Sequence, residues 1–219
     1  MDAVIFDLDG VIVDSEPWHE KAFLRVFDEL GYRDNHGVVF SDYYGTSDRV
    51  VWQDFIERHQ PDQTLDELLE RREAVFVEFM KEHGPIFSGA ASMIPRLEDS
   101  YRLAIASGSR PSIIDLVLTV GSLHAHFEEV VSAQSVENGK PAPDVFLRAA
   151  ELLGVAPEKC WVIEDAKNGI KAGVAAGMRV IAITNSFPRE ELSEAEMVVD
   201  SYEEIEALLL PSKDSARPV

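Results

Sequence analysis

The sequence predicts an α/β protein built on a doubly wound parallel sheet, with a helical domain inserted after the first strand. Three observations carry this. Six short apolar runs rich in β-branched residues recur along the chain, apolar on both faces as strands buried in a parallel sheet are. Helical patterns separate the later runs, the alternation of a doubly wound core. One long interval, from Ser15 to about Glu82, breaks that alternation with at least three amphipathic helices and no convincing strand.

In chain order the first run is Val4-Ile5-Phe6, and the helical interval follows it. Its first helix, Pro17–Leu30, places Trp18, Ala22, Val26 and Phe27 near one face, with Pro17 suited to the first turn. A second helix is expected over Ser47–His59. The third begins at Thr64-Leu65-Asp66-Glu67, which has the spacing of a capping box, and continues through Phe79. Trp18, Phe23, Phe76 and Phe79 read as the core of this insertion. Its ends, near Asp14-Ser15 and Gly84-Pro85, are expected hinges, which divides the chain into a discontinuous core of residues 1–14 and 85–219 and a cap of residues 15–84. The remaining runs are Leu103–Ala106, Val130-Val131, Trp161–Ile163, Val180–Ile183 and Met197–Val199. Helices are expected over Pro111–Val120, Ala142–Leu153 and Gly169–Ala176. The polar tail Pro211–Val219 is expected to fray.

Composition closes several functional classes. The 219 residues carry 40 Asp+Glu against 20 Lys+Arg, a formal charge of −20. Such a chain has no basic footprint for nucleic acid, and an anionic membrane surface repels it. A hydrophobic content of 46% excludes disorder. The lone Cys160 forms no internal disulfide and reads as an inert buried thiol in a reducing cytoplasm. No apolar run reaches membrane-spanning length, and no basic leader precedes the first strand. A cytoplasmic monomer is expected. Eight acids between Glu190 and Glu206 stand without a Lys or Arg among them, a stretch expected to form a solvated face of the core.

Ligands of an open parallel sheet bind beyond the carboxyl ends of its strands. Asp7-Leu8-Asp9-Gly10 follows the first strand, Ser107-Gly108-Ser109 ends the second, Lys140 precedes the Pro141 helix, and Glu164-Asp165 ends the Trp161 strand. Carboxylates gathered in this way raise one another's pKa unless a cation joins them. Asp7, Asp9 and Asp165 are hard oxygen donors of the kind that suits Mg²⁺. With Mg²⁺ and Lys140 present, Asp7 stays ionised and can attack phosphorus. Ser107 and the backbone N–H groups around Gly108 can bond phosphoryl oxygens, and Lys140 can balance their charge. Asp9 is placed to protonate the leaving oxygen and then to activate water. Together they point to phosphoryl transfer.

Asp7-Leu8-Asp9-Gly10-Val11-Ile12-Val13-Asp14-Ser15-Glu16 resembles the first motif of the haloacid dehalogenase superfamily. Ser107 in Ile105-Ala106-Ser107-Gly108 resembles the second, Lys140-Pro141-Ala142-Pro143-Asp144 the third, and Glu164-Asp165 followed by Asn168-Gly169-Ile170-Lys171-Ala172-Gly173 the fourth. All four stand in order at family-like spacing. The Asp14–His19 continuation and the helical insertion resemble the beta-phosphoglucomutase-like branch, with its small-sugar-phosphate phosphatases. The resemblance implies a Rossmann-like core under a helical cap, with Asp7 as nucleophile and Asp9 as general acid/base. It implies Mg²⁺ held by Asp7, the Asp9 carbonyl and Asp165, supported by Glu164 through water. Dehalogenation is not implied, because the dehalogenases lack the residue that Asp9 resembles.

Within the cap, His19 aligns with a sugar-contact and hinge histidine of the mutase, although a histidine early in a helix is as readily structural. Gly45-Thr46-Ser47 resembles the mutase lid loop, but Asp48 stands where that pattern has an arginine, and Arg49 follows one position later. Arg72 and Arg110 fall near basic positions of the mutase. Arg49 and Arg72 also have a plainer reading, pairing with Asp48 and Glu73 on helix surfaces. Three functions follow: a Mg²⁺-dependent phosphatase for a small sugar or polyol phosphate, a beta-phosphoglucomutase-type mutase, and a phospho-accepting domain like a receiver. The last leaves the insertion without a purpose. The Asp48 departure favours the phosphatase, because a mutase holds a second phosphate in its lid.

Overall fold

Strand β1, Ala3–Phe6, is buried along its whole length and forms the middle of the sheet. The computed structural model describes residues 1–43 and 47–210; Gly45 and Thr46 of the lid-loop motif, and the tail from residue 211, lie outside the described residues. The chain divides into two compact units, one of residues 1–14 and 85–219 and the other Ser15–Gly84.

The α/β unit carries six parallel strands in the order β3-β2-β1-β4-β5-β6, where β2 is Arg102–Ser107, β3 Glu129–Ser132, β4 Cys160–Glu164, β5 Arg179–Ile183 and β6 Met197–Val199. This is the doubly wound, Rossmann-like order, which reverses direction beside β1. Every apolar run of the sequence forms a strand. Register sets the strand ends level: Phe6 pairs with Ile105 on one side and Ile163 on the other, and Ser107 pairs with Ser132. Asp7, Ser107 and Glu164 are therefore delivered to one rim.

Alternate residues of the strands serve opposite faces. Ala3, Ile5, Ala104, Ala106, Val162, Val180 and Ala182 pack with α6 (Asp144–Leu153) and α7 (Lys167–Ala175), the small side chains admitting close approach. Val4, Phe6, Leu103, Ile105, Ile163 and Ile181, all buried, face the other way, and Phe6 meets Phe127 edge-on. The expected helix from Pro111 is α5, Pro111–Gly121. Two helices were not anticipated, α4 (Ser88–Leu97) and α8 (Tyr202–Leu209), which pack on each other. The first opens on five small residues, Ser88 to Ser92, with Pro95 further along it, and the second begins within the acidic stretch.

Seven of the eight acids in that stretch are exposed, as expected of a solvated face, with only Glu206 partly buried. Leu192, Val199 and Ile205 are buried beneath it, and five of the eight acids pair with bases from outside it: Glu196 with Arg179, Asp200 with Arg189, Glu191 with Lys167, Glu194 with Lys171 and Glu206 with Arg96.

The helical unit contains α1 (Glu16–Glu29), α2 (Asp48–His59) and α3 (Leu65–His83). Its core is aromatic: Phe27 lies 5.1 Å from Trp52 and 4.8 Å from Phe55, and Phe23 lies 5.1 Å from Trp52. The capping box forms as its spacing predicts, Thr64 accepting from the Glu67 amide while Glu67 accepts from the Thr64 amide. α1 turns Phe23 inward, whereas Trp18, half-buried, stacks on His83.

Candidate active site

The loop after β1 folds tightly on itself. Val11 and Ile12 amides donate to the Leu8 carbonyl, and the Gly10 amide donates to Val13. Gly10 has φ +76°, and a Cβ there would come 1.8 Å from Asp165 Oδ2, so only glycine lets the loop lie against that carboxylate. Opposite, Asn185 Nδ2 donates to the Gly10 carbonyl at 2.7 Å, and the Tyr202 hydroxyl donates to the Val11 carbonyl at 2.7 Å. Loop and strand end thus hold Asp7 and Asp9 against the sheet.

Asp7, Glu164 and Asp165 are buried, and one oxygen from each lies within 4.8 Å of the others. Lys140 Nζ donates to Asp7 Oδ1 at 2.5 Å and to Glu164 Oε1 at 2.8 Å. Both Glu164 oxygens are engaged, since Oε2 accepts from the Asp165 and Ala166 amides. Glu164 therefore orients Lys140 and closes the turn into α7. Gly169 makes room for it: a Cβ there would fall 1.6 Å from Glu164 Oε1.

The electrostatics follow from burial. Loss of water raises the Asp7 pKa; Lys140 opposes this, while Glu164 and Asp9 add to it. Asp165 is raised by burial and by the charges of Glu164 and Asp7, against a bond from Ser186. Burial alone would lower Lys140, but Asp7 and Glu164 raise it, so it stays an ammonium. One cation for three buried carboxylates leaves the cluster short of positive charge. Among the described residues Asp165 Oδ1 is buried without a hydrogen-bond partner. An orphaned carboxylate oxygen in an all-oxygen cluster fits a hard divalent cation.

Asp9 turns its carboxyl toward β2, where Ser109 Oγ donates to Oδ2 at 2.6 Å. Ser107 Oγ is fully buried and accepts from the Ser109 amide. Gly108 is exposed with open space around its α-carbon, and Arg110 forms the N-cap of α5.

The four core motifs thus meet at one rim. Of the other candidates, His19 and Arg72 form a separate cluster within the helical unit, and Arg49 stands apart from it. Arg72, 5% exposed, pairs with Asp48 at 3.0 Å and contacts His19 Nδ1, whose ring stacks on Phe76 at 4.3 Å. Burial lowers the Arg72 pKa against the pull of Asp48. Arg49 is half-exposed and pairs with Asp66 at 3.5 Å, not with Asp48. Ser109, Ser132, Asn185, Ser186 and Tyr202 were missed by sequence reasoning. Ser109 carried a signal, two residues from Ser107, whereas the others reach the rim only through the fold.

The profile of the haloacid dehalogenase-like hydrolases matches residues 4–183. The chain belongs to this family. Among its relatives, the fructose-1-phosphate phosphatase YqaB of Escherichia coli is 33% identical over 82% of this chain and 95% of that protein. Hexitol phosphatase B of the same organism is 32% identical over 83% and 82%. The crystal structure of a putative beta-phosphoglucomutase from Thermotoga maritima superposes with a TM-score of 0.83 at 28% identity, covering 95% of this chain and 98% of that one. The chain is thus an enzyme, a haloacid dehalogenase-like phosphohydrolase. No helix among its described residues is long and apolar enough to cross a membrane.

Proposed function

We propose that the chain is a Mg²⁺-dependent phosphatase acting on a small sugar or polyol phosphate through an aspartyl-phosphate on Asp7. The buried cluster of Asp7, Lys140, Glu164 and Asp165 carries this reading, and the names of the curated relatives support it.

Asp7 is the nucleophile: one of its carboxylate oxygens bonds to phosphorus as the bond to the sugar oxygen breaks. Asp9 gives its proton to that departing oxygen. In the second half a water gives a proton to Asp9, its oxygen bonds to phosphorus, and the Asp7–phosphorus bond breaks. Inorganic phosphate leaves and Asp7 is restored. Lys140 and the Ser107 hydroxyl, which accepts from Ser109 and keeps its own proton to donate, balance charge on the phosphoryl oxygens beside the Gly108 amide. The Asp7 and Asp165 carboxylates and the Asp9 carbonyl would hold Mg²⁺, with Glu164 behind them. Bound there, the ion would supply the positive charge that keeps Asp7 ionised and offsets the phosphoryl group.

The unit of residues 15–84 is proposed as the cap of a core formed by residues 1–14 and 85–219. The proposed substrate contacts are His19, Arg49 and Arg72 of the cap and Gly108 and Arg110 of the core. The second reading, a beta-phosphoglucomutase-type mutase, has the support of the Thermotoga likeness. The Asp48–Arg72 pair favours hydrolysis, because it occupies a guanidinium that a second phosphate would need. The buried, raised thiol of Cys160 and the absence of other cysteines suit a reducing cytoplasm.

The test is phosphate release from a panel of hexose and hexitol phosphates with Mg²⁺. Turnover that survives Asp7→Asn overturns the aspartyl-phosphate reading. A requirement for a bisphosphate activator, with isomerised product and little free phosphate, replaces the phosphatase by the mutase.

A further inference from the structure

Ser109 reaches across a hundred residues of chain to the carboxyl group of Asp9, its Oγ donating to Oδ2 at 2.6 Å. A serine that merely shapes a turn spends its hydroxyl on backbone two or three residues away. Ser109 instead has its backbone fixed by other serines and its hydroxyl directed outward. Its amide donates to Ser107 Oγ at 2.9 Å, and its carbonyl accepts from Ser132 Oγ at 2.7 Å. Ser107 and Ser132 are both buried and face each other as register partners in the β2–β3 ladder. Ser132 is itself fixed, accepting from the Gln134 amide. The orientation of one hydroxyl is thus built from the ends of two strands.

We infer that Ser109 is a positioning residue for Asp9, that Ser132 sets Ser109, and that the end of β3 is therefore part of the proton-transfer apparatus. The inference rests on the proposed acid/base role of Asp9. A carboxyl group turns through a broad, nearly two-fold torsion about its last bond. A donor on Oδ2 restricts that rotation and helps to fix the direction in which the carboxyl group presents its proton. The same bond persists whether Asp9 is the acid or its carboxylate, so one hydroxyl serves both halves of the reaction. As the phosphorus–oxygen bond breaks, the leaving oxygen takes the proton from the Asp9 carboxyl group, and the Ser109 hydroxyl stabilises the carboxylate that remains. When water attacks, that carboxylate takes a proton back.

Leaving groups separate this role from a structural one. A sugar or alkyl phosphate needs its departing oxygen protonated, whereas p-nitrophenolate leaves with little help. The measurement is kcat/KM with Mg²⁺ for an alkyl phosphate and for p-nitrophenyl phosphate, with thermal melting as the check on folding. General acid catalysis contributes about 10²–10⁴, so misorienting the acid should lower the alkyl-to-aryl ratio about tenfold in Ser109→Ala. Ser109→Thr, which keeps the hydroxyl, should restore most of it, and Ser132→Ala should lower it by a smaller factor.

Asp9→Asn is the control for the reading beneath. If its loss falls equally on both substrates, Asp9 is not the acid and both ideas fail. If Asp9→Asn discriminates while Ser109→Ala lowers both substrates alike or neither, only the positioning role is overturned. Should Ser109→Ala not fold, Ser132→Ala decides, since it leaves the hydroxyl and removes only its brace; an unchanged ratio there overturns the inference.

Discussion

Lys140 is the residue on which the buried charges turn. It is the cation shared by Asp7 and Glu164, with side chains only 12%, 10% and 1% exposed. Removing one member of a buried ionic group leaves the others uncompensated. Lys140→Met is therefore expected to cost about 3–5 kcal/mol in urea unfolding, besides abolishing turnover. An unchanged midpoint would mean that the carboxylates are already neutral. Gly169→Ala tests the same group from the other side. Its methyl must displace Glu164, so phosphate release should fall by up to about a hundredfold, the loss that follows when a positioned group moves by an ångström. A Gly169→Ala enzyme of full activity would show that Glu164 does not need its present place. Lys140 stands 133 and 24 residues from its two acceptors, whereas Gly169 is close to Glu164 in the chain. Lys140, Asp7, Glu164 and Gly169 were all legible in their motifs, but the bridge that Lys140 makes and the space that Gly169 leaves became visible only with the strands in register.

At the scale of elements, local signals were read correctly where one element decides its own limits. The Thr64–Glu67 box caps α3, and Gly84 ends that helix in the left-handed conformation. Thr64→Ala should lower stability by about 1 kcal/mol, measured by denaturant, with little change in kcat. A loss above about 3 kcal/mol would mean that the cap does more than close a helix. The helix α8 shows why other elements were hidden. Its acidic composition masks an apolar stripe of Tyr202, Ile205 and Leu209. Its most consequential contact is one hydroxyl, Tyr202 to the Val11 carbonyl, reinforced by Asn185, which donates to both that hydroxyl and the Gly10 carbonyl. Tyr202→Phe keeps the packing and leaves a buried carbonyl unpaired, at an expected cost of about 1–3 kcal/mol in stability. A loop so close to Asp7 should loosen with it, so the variant's affinity for Mg²⁺ in calorimetry should fall as well. Unchanged affinity would confine Tyr202 to folding.

Across the whole molecule the charge of −20 divides into two populations. The acids of the Glu190–Glu206 stretch meet bases at the surface, where pairing contributes little and salt screens it. The three buried acids share a single cation, Lys140, and this makes stability depend on pH in a predictable sense. Asp7 and Asp165 titrate higher in the folded protein than the value near 3.9 of an unfolded aspartate. Between the unfolded value and the raised native ones the native state holds more protons than the unfolded state. The contribution of these two groups is therefore fully present below about pH 4 and is lost as pH rises through the native values. A divalent cation bound to the same oxygens favours the charged forms and removes the loss. Magnesium should accordingly raise the melting temperature of EDTA-treated protein more at pH 8 than at pH 5. At a hundred times its Kd the gain should be about 2.7 kcal/mol. Asp165→Asn, which takes away one of the raised groups and the orphaned oxygen together, should flatten the difference between the two pH values. An equal response to magnesium at both, or one that survives Asp165→Asn, would place the ion elsewhere on this acidic surface.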